Sequence, residues 1–304
     1  MTTFRAVAAR PNYSRAAATG VSSAFGTFGE LLQGVLPEDD GDFLVTLPIA
    51  RWAMARFEFH PQSRELQVRP PHKTKALRLI SMILKDVGQP AGGSLKIDSV
   101  LPEGKGLASS SADLVATARA VANALDEPMP PERIESYLFK IEPTDGVLYP
   151  SVVAYHHRSV RLRARLGSLP SMAVVSIDEG GQVDTVAFNN IAKPFTAGDK
   201  RTYAALLDRI TEAVTRRDLA EVGRVATTSA WMNQPLRYKW SLEAMTRICD
   251  SVDGLGVVVG HSGTTLGILL DTAAPDCPGQ LATAAQACQK LAGNVTVYRT
   301  LSFD

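Results

Sequence analysis

The chain has 304 residues, of which 45% are apolar, with 23 glycines and 18 prolines, a composition typical of a folded globular protein. Its 32 Lys and Arg residues nearly balance its 31 Asp and Glu residues, so no strong basic field is present to hold nucleic acid or an anionic membrane. The sequence therefore predicts a small-molecule partner, no nucleic acid and no membrane. The sequence leaves the oligomeric state open, and a homodimer is one of the alternatives.

Cysteine usage and the N-terminal segment bear on location. Cys249, Cys277 and Cys288 form no closely spaced pair of the metal or redox type, which favours a reduced, cytoplasmic setting. Apolar runs fall short of the roughly 20 residues that a membrane helix needs. Residues 1–20 contain three Arg and no acidic residue. We interpret them as a disordered extension, with a transit peptide as the alternative.

In the first half, short apolar periods predict alternating strands and helices. Residues 43–48 and 55–60 are rich in β-branched and aromatic side chains and predict strands. Residues 73–88 repeat apolar positions at helical spacing and end in a glycine, which predicts a helix. Residues 93–100 alternate as a strand does, and a second helical pattern runs from Ala112 onward.

A Gly, Pro and Ser cluster at residues 165–171 predicts a domain boundary. We therefore predict an extension over residues 1–20, a first domain over 21–167 and a second over 168–304. In the second half, strands are predicted at residues 172–177, 255–260, 266–271 and 295–299. Helices are predicted at residues 202–218, 219–232 and 241–252, and one more lies between the last two strands. This mixture predicts an α+β fold.

The stretch "LPEGKGLASSSADL", residues 101–114, joins the strand at 93–100 to the following helix. The first turn of a helix carries unpaired N–H groups and partial positive charge, and therefore binds anions. Gly104 and Gly106 would let the backbone approach a phosphate, while three serines offer hydroxyls to phosphate or Mg²⁺. The alternative without a ligand is a capping box formed by Ser110 and Asp113. The spacing is not that of a Walker A loop.

The same stretch resembles the phosphate loop of the GHMP kinases, whose members include galactokinase, homoserine kinase and mevalonate kinase. The resemblance implies a two-domain fold, with an N-terminal domain like domain 2 of ribosomal protein S5 and a ferredoxin-like C-terminal domain. It also implies that ATP is bound, with nucleotide phosphates held by Pro102, Gly104, Lys105, Gly106, Leu107, Ala108, Ser109, Ser110 and Ser111.

Two further stretches resemble motifs of this family, and in particular of its L-threonine kinases. "AFGTFGELLQG", residues 24–34, is similar to their first motif but departs from it at Phe25, Thr27 and Phe28, changes that we expect to alter the acceptor pocket. Taken alone, it predicts a glycine-rich turn before a short helix. "VVVGHSGTTLGILLD", residues 257–271, is similar to the third motif; alone it predicts a hairpin. The resemblance implies acceptor binding by Thr27, Gly29, Glu30, Gln33, Ser262, Gly263 and Thr264.

Phosphoryl transfer to an alcohol commonly uses a carboxylate to take the hydroxyl proton, and the segment after the phosphate helix supplies several. "EPTDGVLYP", residues 142–150, is similar to a threonine-kinase segment, which implies that Asp145 is the catalytic base or orients the acceptor. Mg²⁺ requires few protein ligands beside the nucleotide phosphates. The resemblance implies Ser110 as one ligand and Glu135 or Glu142 as the carboxylate, with Glu135 ranked slightly ahead.

Residues 229–240 resemble another threonine-kinase stretch, which implies that Asn233, Gln234 and Lys239 recognise the acceptor's ammonium and carboxylate. The alternative is that they are polar residues at a helix end. Since Thr27 replaces the Lys that mevalonate kinases carry, Lys105 or Lys239 would provide a cation. The five histidines predict no zinc site, and His261 is interpreted as structural.

Together the resemblance implies a kinase that transfers the γ-phosphoryl group of ATP to a hydroxy amino acid, L-threonine first, in cobalamin biosynthesis. Two alternatives stay open. The acceptor could be homoserine, mevalonate, a sugar or another small alcohol, or the chain could be a nucleotide-binding sensor without catalysis.

Overall fold

The computed structural model describes residues 16–38, 41–181, 191 and 193–303. The described strands are β1 Ala18–Val35, β2 Asp42–Phe59, β3 Leu66–Arg69, β4 Gly93–Ser99, β5 Val152–His156, β6 Arg161–Gly167, β7 Met172–Asp178, β8 Gly256–Val259, β9 Thr265–Asp271 and β10 Val295–Arg299. The described helices are α1 Thr74–Asp86, α2 Ser109–Leu125, α3 Pro131–Leu138, α4 Ala197–Arg216, α5 Leu219–Met232, α6 Leu242–Ser251 and α7 Cys277–Ala292.

The strands form one sheet in the order β10-β7-β9-β8-β1-β2-β4-β3, and β5 pairs with both β2 and β6. Strands from the second half of the chain lie on one side of β1, and strands from the first half lie on the other. The two sides meet at β1 and β8, which pair through Glu30 and Val259. The first motif therefore runs through the middle of the sheet.

Helix α2 packs against β1 and β2, and nearly all of its residues are buried. Helices α6 and α7 cover β8, β9 and β7 around a second apolar cluster. In the part of the chain described here, no helix is long and apolar enough to cross a bilayer.

The α+β class and the helices predicted by apolar spacing are confirmed. The short helix predicted within residues 24–34 is wrong, because this stretch belongs to the 18-residue strand β1. Two predicted strands, 43–48 and 55–60, are parts of the single strand β2. β1 also begins at Ala18, so the last three residues of the predicted extension are strand; residues 1–15 lie outside the described part. The predicted boundary at residue 168 falls between β6 and β7.

Candidate active site

The phosphate-loop candidate forms a left-handed turn that leads directly into α2. Gly104 and Gly106 have φ angles of 70° and 83°, and Ala108, the N-cap residue, has a φ of 55°. No side chain caps the helix, and its first turn contains no acidic residue. The capping box considered for Ser110 and Asp113 is therefore not formed. An uncapped helix start presents N–H groups and positive partial charge to an anion.

This turn opens into a cavity of about 310 Å³. Of the predicted site residues, those that line it are Glu30, Gln33, Gly104, Gly106, Leu107, Ala108, Ser109, Ser110, Ser111, Glu142, Asp145 and Ser262. The phosphate loop, the carboxylate segment, the first motif and the third motif thus meet at one cavity, although they are far apart in the chain.

Asp145 is held against the start of α2 by Ser111. The Ser111 hydroxyl donates to Asp145 Oδ2 over 3.2 Å and accepts a hydrogen bond from the Asp145 backbone N–H over 3.0 Å. Burial, the nearby charge of Glu30 and, to a smaller extent, that of Glu142 raise the pKa of Asp145 to about 7, although the Ser111 hydroxyl acts to lower it. A carboxylate with such a pKa can accept a proton near neutral pH.

Ser110 and Glu142 form a hydroxyl and carboxylate pair at the same helix start. The Ser110 hydroxyl donates to Glu142 Oε1, and the ammonium of Lys75 binds Glu142 Oε2. Within the described residues no cluster of three or more His, Cys, Asp or Glu side chains could hold a metal by itself. A hydroxyl and a carboxylate fit Mg²⁺, whose remaining ligands are commonly phosphate oxygens and water.

Glu135, the carboxylate ranked first for the metal, does not line the cavity. Its Oε1 accepts hydrogen bonds from the Tyr149 hydroxyl at 2.9 Å and from the Leu162 backbone N–H at 3.0 Å. This buried carboxylate joins α3 to β6. The ranking of Glu135 ahead of Glu142 is corrected by this placement.

The first motif contributes Glu30 and a close backbone approach. Gly29 has a φ of 50°, its N–H donates to the Gly106 carbonyl over 2.9 Å, and a Cβ atom here would lie 2.1 Å from the Val259 oxygen. Glu30 Oε2 accepts hydrogen bonds from the backbone N–H of His261 at 3.0 Å and from its Nδ1 at 2.8 Å. A glycine before Glu30 therefore lets strand β1 contact both the phosphate loop and the third motif.

The third motif is a turn between β8 and β9 that closes against the phosphate loop. A Cβ atom on Gly263 would lie 2.2 Å from the Lys105 oxygen, which also accepts hydrogen bonds from the Thr264 N–H at 3.2 Å and the Thr265 hydroxyl at 2.9 Å. Only Ser262 of the three predicted residues lines the cavity. Gly263 and Thr264 support the loop instead of facing the cavity.

The residues predicted to recognise ammonium and carboxylate groups lie behind this turn. Asn233 Nδ2 donates to the Gln33 carbonyl over 2.8 Å, and Gln234 Oε1 accepts from the Lys239 backbone N–H over 2.6 Å. The Lys239 ammonium donates to the Gly263 carbonyl over 2.5 Å, and burial lowers its pKa to about 8. None of these three lines the cavity, so they brace the first and third motifs.

The remaining predicted residues also lie outside the lining. Thr27 is buried within β1, Pro102 is exposed, and the Lys105 ammonium pairs with Asp178 Oδ2 at 2.6 Å. Phe25 packs against Trp52 and Phe303, and Phe28 against Tyr298. The expectation that Phe25 and Phe28 alter the acceptor pocket is therefore wrong, because both rings belong to the core.

Sequence reasoning missed several polar residues of the cavity. Lys73 and Lys75 come from the start of α1, where Lys73 binds Asp113 at 2.5 Å and also binds Glu103. His157, which follows β5, lines the cavity as well. Lysines just before an apolar helix were the available signal, but only the fold places that helix start beside the phosphate loop.

The cavity combines an uncapped helix start, a Ser and Glu pair and a carboxylate with a raised pKa, which are groups that phosphoryl transfer uses. Comparisons with known proteins agree. The pattern of the GHMP kinases N terminal domain matches residues 74–150. L-threonine kinase of Citrobacter freundii is 27% identical over 180 residues, which are 58% of this chain and 62% of that protein. L-threonine kinase of Salmonella typhimurium strain LT2 is 24% identical over 248 residues, 80% of each chain.

A comparison of folds gives a similar solved structure. The structure of a homoserine kinase from Cytophaga hutchinsonii superposes with a TM-score of 0.71 at 15% identity, over 99% of this chain and 98% of that chain. Residues 74–150 thus match the N-terminal domain of the GHMP kinases, and the fold of the whole chain is similar to that of a homoserine kinase.

Proposed function

We propose that the protein transfers the γ-phosphoryl group of ATP to the hydroxyl of a hydroxy amino acid, and that L-threonine is the acceptor, giving O-phospho-L-threonine. The observation that carries this proposal is the contact between Ser111 and Asp145, which fixes a proton-accepting carboxylate at the start of the phosphate-binding helix. The similarity to two L-threonine kinases supports the choice of acceptor. A role in cobalamin biosynthesis, which the sequence resemblance implies, also belongs to the proposal.

Each part of the site has a task in this reaction. The N–H groups at the start of α2 and the loop around Gly106 hold the nucleotide phosphates. Ser110 and Glu142 would bind Mg²⁺, which offsets phosphate charge when bound. Asp145 accepts the proton of the acceptor hydroxyl, so that the hydroxyl oxygen can bond to the γ-phosphorus while the bond to the β-γ bridging oxygen breaks.

A mass-spectrometric screen tests the proposal. The purified chain is incubated with ATP, Mg²⁺ and each of L-threonine, L-serine, L-homoserine, mevalonate and simple sugars. We expect a phosphorylated L-threonine product. Phosphorylation of only mevalonate or a sugar would leave the kinase assignment and remove the proposed acceptor, whereas ATP binding with no product from any compound would favour a sensor.

The catalytic role of Asp145 is tested in the same assay. Asp145→Asn keeps the shape of the side chain but cannot accept the proton, so kcat should fall by about 100- to 10,000-fold. ATP affinity, measured by calorimetry, should stay close to that of the unchanged protein. An unchanged kcat would remove Asp145 from the mechanism.

A further inference from the structure

Two of the polar side chains that line the cavity are buried and carry atoms without a hydrogen-bond partner in the described part of the chain. His157 is 3% exposed and Gln33 is 4% exposed. Both ring nitrogens of His157 and the Oε1 atom of Gln33 are buried and have no hydrogen-bond partner among the residues that the structure describes. Buried polar groups in folded proteins are nearly always hydrogen-bonded, so two such groups at one cavity are suited to bind a polar ligand.

Gln33 and His157 line the same cavity from β1 and from the end of β5, two strands that are separated by β2. Gln33 on β1 is opposite Leu44 on β2, and Leu44 is opposite Tyr155 on β5, two residues before His157. The His157 carbonyl accepts a hydrogen bond from the Thr144 N–H over 3.0 Å, which places His157 next to the segment that carries Asp145. His157 is therefore close to the proposed proton acceptor.

The chemistry of these groups defines what they can bind. Burial lowers the pKa of His157 to about 4, so the ring is neutral and offers one N–H donor and one acceptor nitrogen. The charges around this ring belong to Asp42, Lys193, Glu30 and Arg158. Gln33 Oε1 is an acceptor, and the Glu30 carboxylate, held by His261, also faces the cavity. A ligand that forms hydrogen bonds with all three side chains carries an N–H donor and an acceptor close together.

We propose that Glu30, Gln33 and His157 form a subsite that binds the amino-acid end of the acceptor. Glu30 and Gln33 Oε1 accept hydrogen bonds from the ammonium, and the His157 N–H donates to the carboxylate. This inference rests on the proposed function, and it makes His157 a residue that determines specificity for a zwitterionic acceptor over mevalonate or a sugar. The hydroxyl of the bound amino acid then lies toward Asp145.

A kinetic test with three acceptors separates the contribution of the acceptor's ammonium group from that of its carboxylate. L-threonine carries both charged groups, 1-amino-2-propanol lacks the carboxylate, and 3-hydroxybutyrate lacks the ammonium. His157→Leu should raise KM for L-threonine by about 10- to 100-fold, since a hydrogen bond to a charged group is lost, and should leave KM for ATP and the kinetics with 1-amino-2-propanol unchanged. Gln33→Leu should mainly reduce the preference for L-threonine over 3-hydroxybutyrate.

His156 provides the matched control. It precedes His157, is half-buried, does not line the cavity, and its Nδ1 lies 3.3 Å from the Asp42 carbonyl. His156→Asn should leave all three acceptors unaffected. His157→Gln, which keeps an N–H donor, should retain more of the L-threonine activity than His157→Leu.

Thermal stability distinguishes binding from a structural role. Because the His157 nitrogens have no partner in the described part of the chain, His157→Leu should leave the Tm of the ligand-free protein unchanged or raise it. A lower Tm together with an equal loss for every acceptor would overturn the inference.

Failure of the inference and of the proposed function give different results. If L-threonine is phosphorylated but His157→Leu and Gln33→Leu keep its KM, only the subsite is wrong. If only mevalonate or a sugar is phosphorylated, the proposed acceptor is wrong and the subsite is overturned with it. If no compound turns over, calorimetry with L-threonine decides: binding that His157→Leu weakens supports the subsite, and absence of binding overturns it.

Discussion

Asp145 shows how neighbouring residues set the chemistry of one carboxylate. Burial is the largest cause of its raised pKa, and the charge of Glu30 is the next. Glu30 is itself fixed by two hydrogen bonds from His261. The acceptor subsite and the proposed proton acceptor are thus electrostatically coupled.

A pH profile should reveal this coupling. Only ionised Asp145 can accept a proton, and with a pKa of about 7 it is ionised in about one tenth of molecules at pH 6. We expect kcat/KM to fall as the pH drops below 7. Glu30→Gln removes a charge that raises this pKa, so the acidic limb of its profile should move to lower pH, even though the variant is less active.

A control variant shows whether the acidic limb reports Asp145. The pH profiles of the unchanged protein and of Glu30→Gln are compared with that of Lys96→Gln, which removes a charge from an exposed ion pair with Asp98. That control should keep the original limb. An unchanged limb in Glu30→Gln would show that the fall in activity reports a different group.

Ser110 gives a second prediction at this scale. Its hydroxyl donates to the buried Glu142 carboxylate, which Lys75 also binds, and does not cap α2, so Ser110→Ala should lower the Tm only slightly. If it binds Mg²⁺, the concentration of Mg²⁺ needed for half-maximal activity should rise several-fold. Ser136→Ala is the control, because Ser136 lies on α3 and its hydroxyl bonds the Arg133 carbonyl. Equal Mg²⁺ dependence in both variants would exclude Ser110 as a ligand.

Among the elements, α2 could be predicted from the sequence and β1 could not. The apolar period after residue 111 is sustained and gives the helix directly. In β1, four glycines and continuous burial from Ala24 to Val35 hide the alternation that identifies a strand. Both faces of its C-terminal part are covered, so the pattern of side chains no longer shows the period of two.

The turn before α2 depends on its glycines. Gly106 has a φ of 83°, and a Cβ atom here would lie 2.9 Å from the Gly260 Cα, a backbone atom that cannot easily move aside. Gly106→Ala should lower the free energy of unfolding by about 2 kcal/mol and weaken ATP binding.

Gly279→Ala is the matched control for this substitution. Gly279 is in the first turn of α7, and a Cβ atom there would contact nothing within 4 Å. Since alanine favours helix, this variant should be as stable as the unchanged protein or more stable. Equal stability of the two alanine variants would contradict the close packing of the turn.

At the scale of the molecule, the family resemblance predicted which motifs belong to one site, and the fold explains why. Gly29, Gly106 and Gly263 come from three distant segments and allow three backbones to meet at the phosphate loop. His157 could not be predicted, because its place follows from the pairing of β1, β2 and β5. Glu135 and Lys239 were assigned to the site from their motifs, but the tertiary contacts use them as supports.

Glu30 lies where the two sides of the sheet are joined. Its backbone pairs with Val259, and its side chain faces the cavity. A ligand that contacts this carboxylate binds only when both sides of the sheet are assembled. Binding therefore raises the free energy of unfolding of the assembled sheet, by an amount that grows with the affinity of the ligand. A substitution that reorients Glu30 toward a different acceptor therefore also changes the cooperativity with which the two halves of the chain unfold.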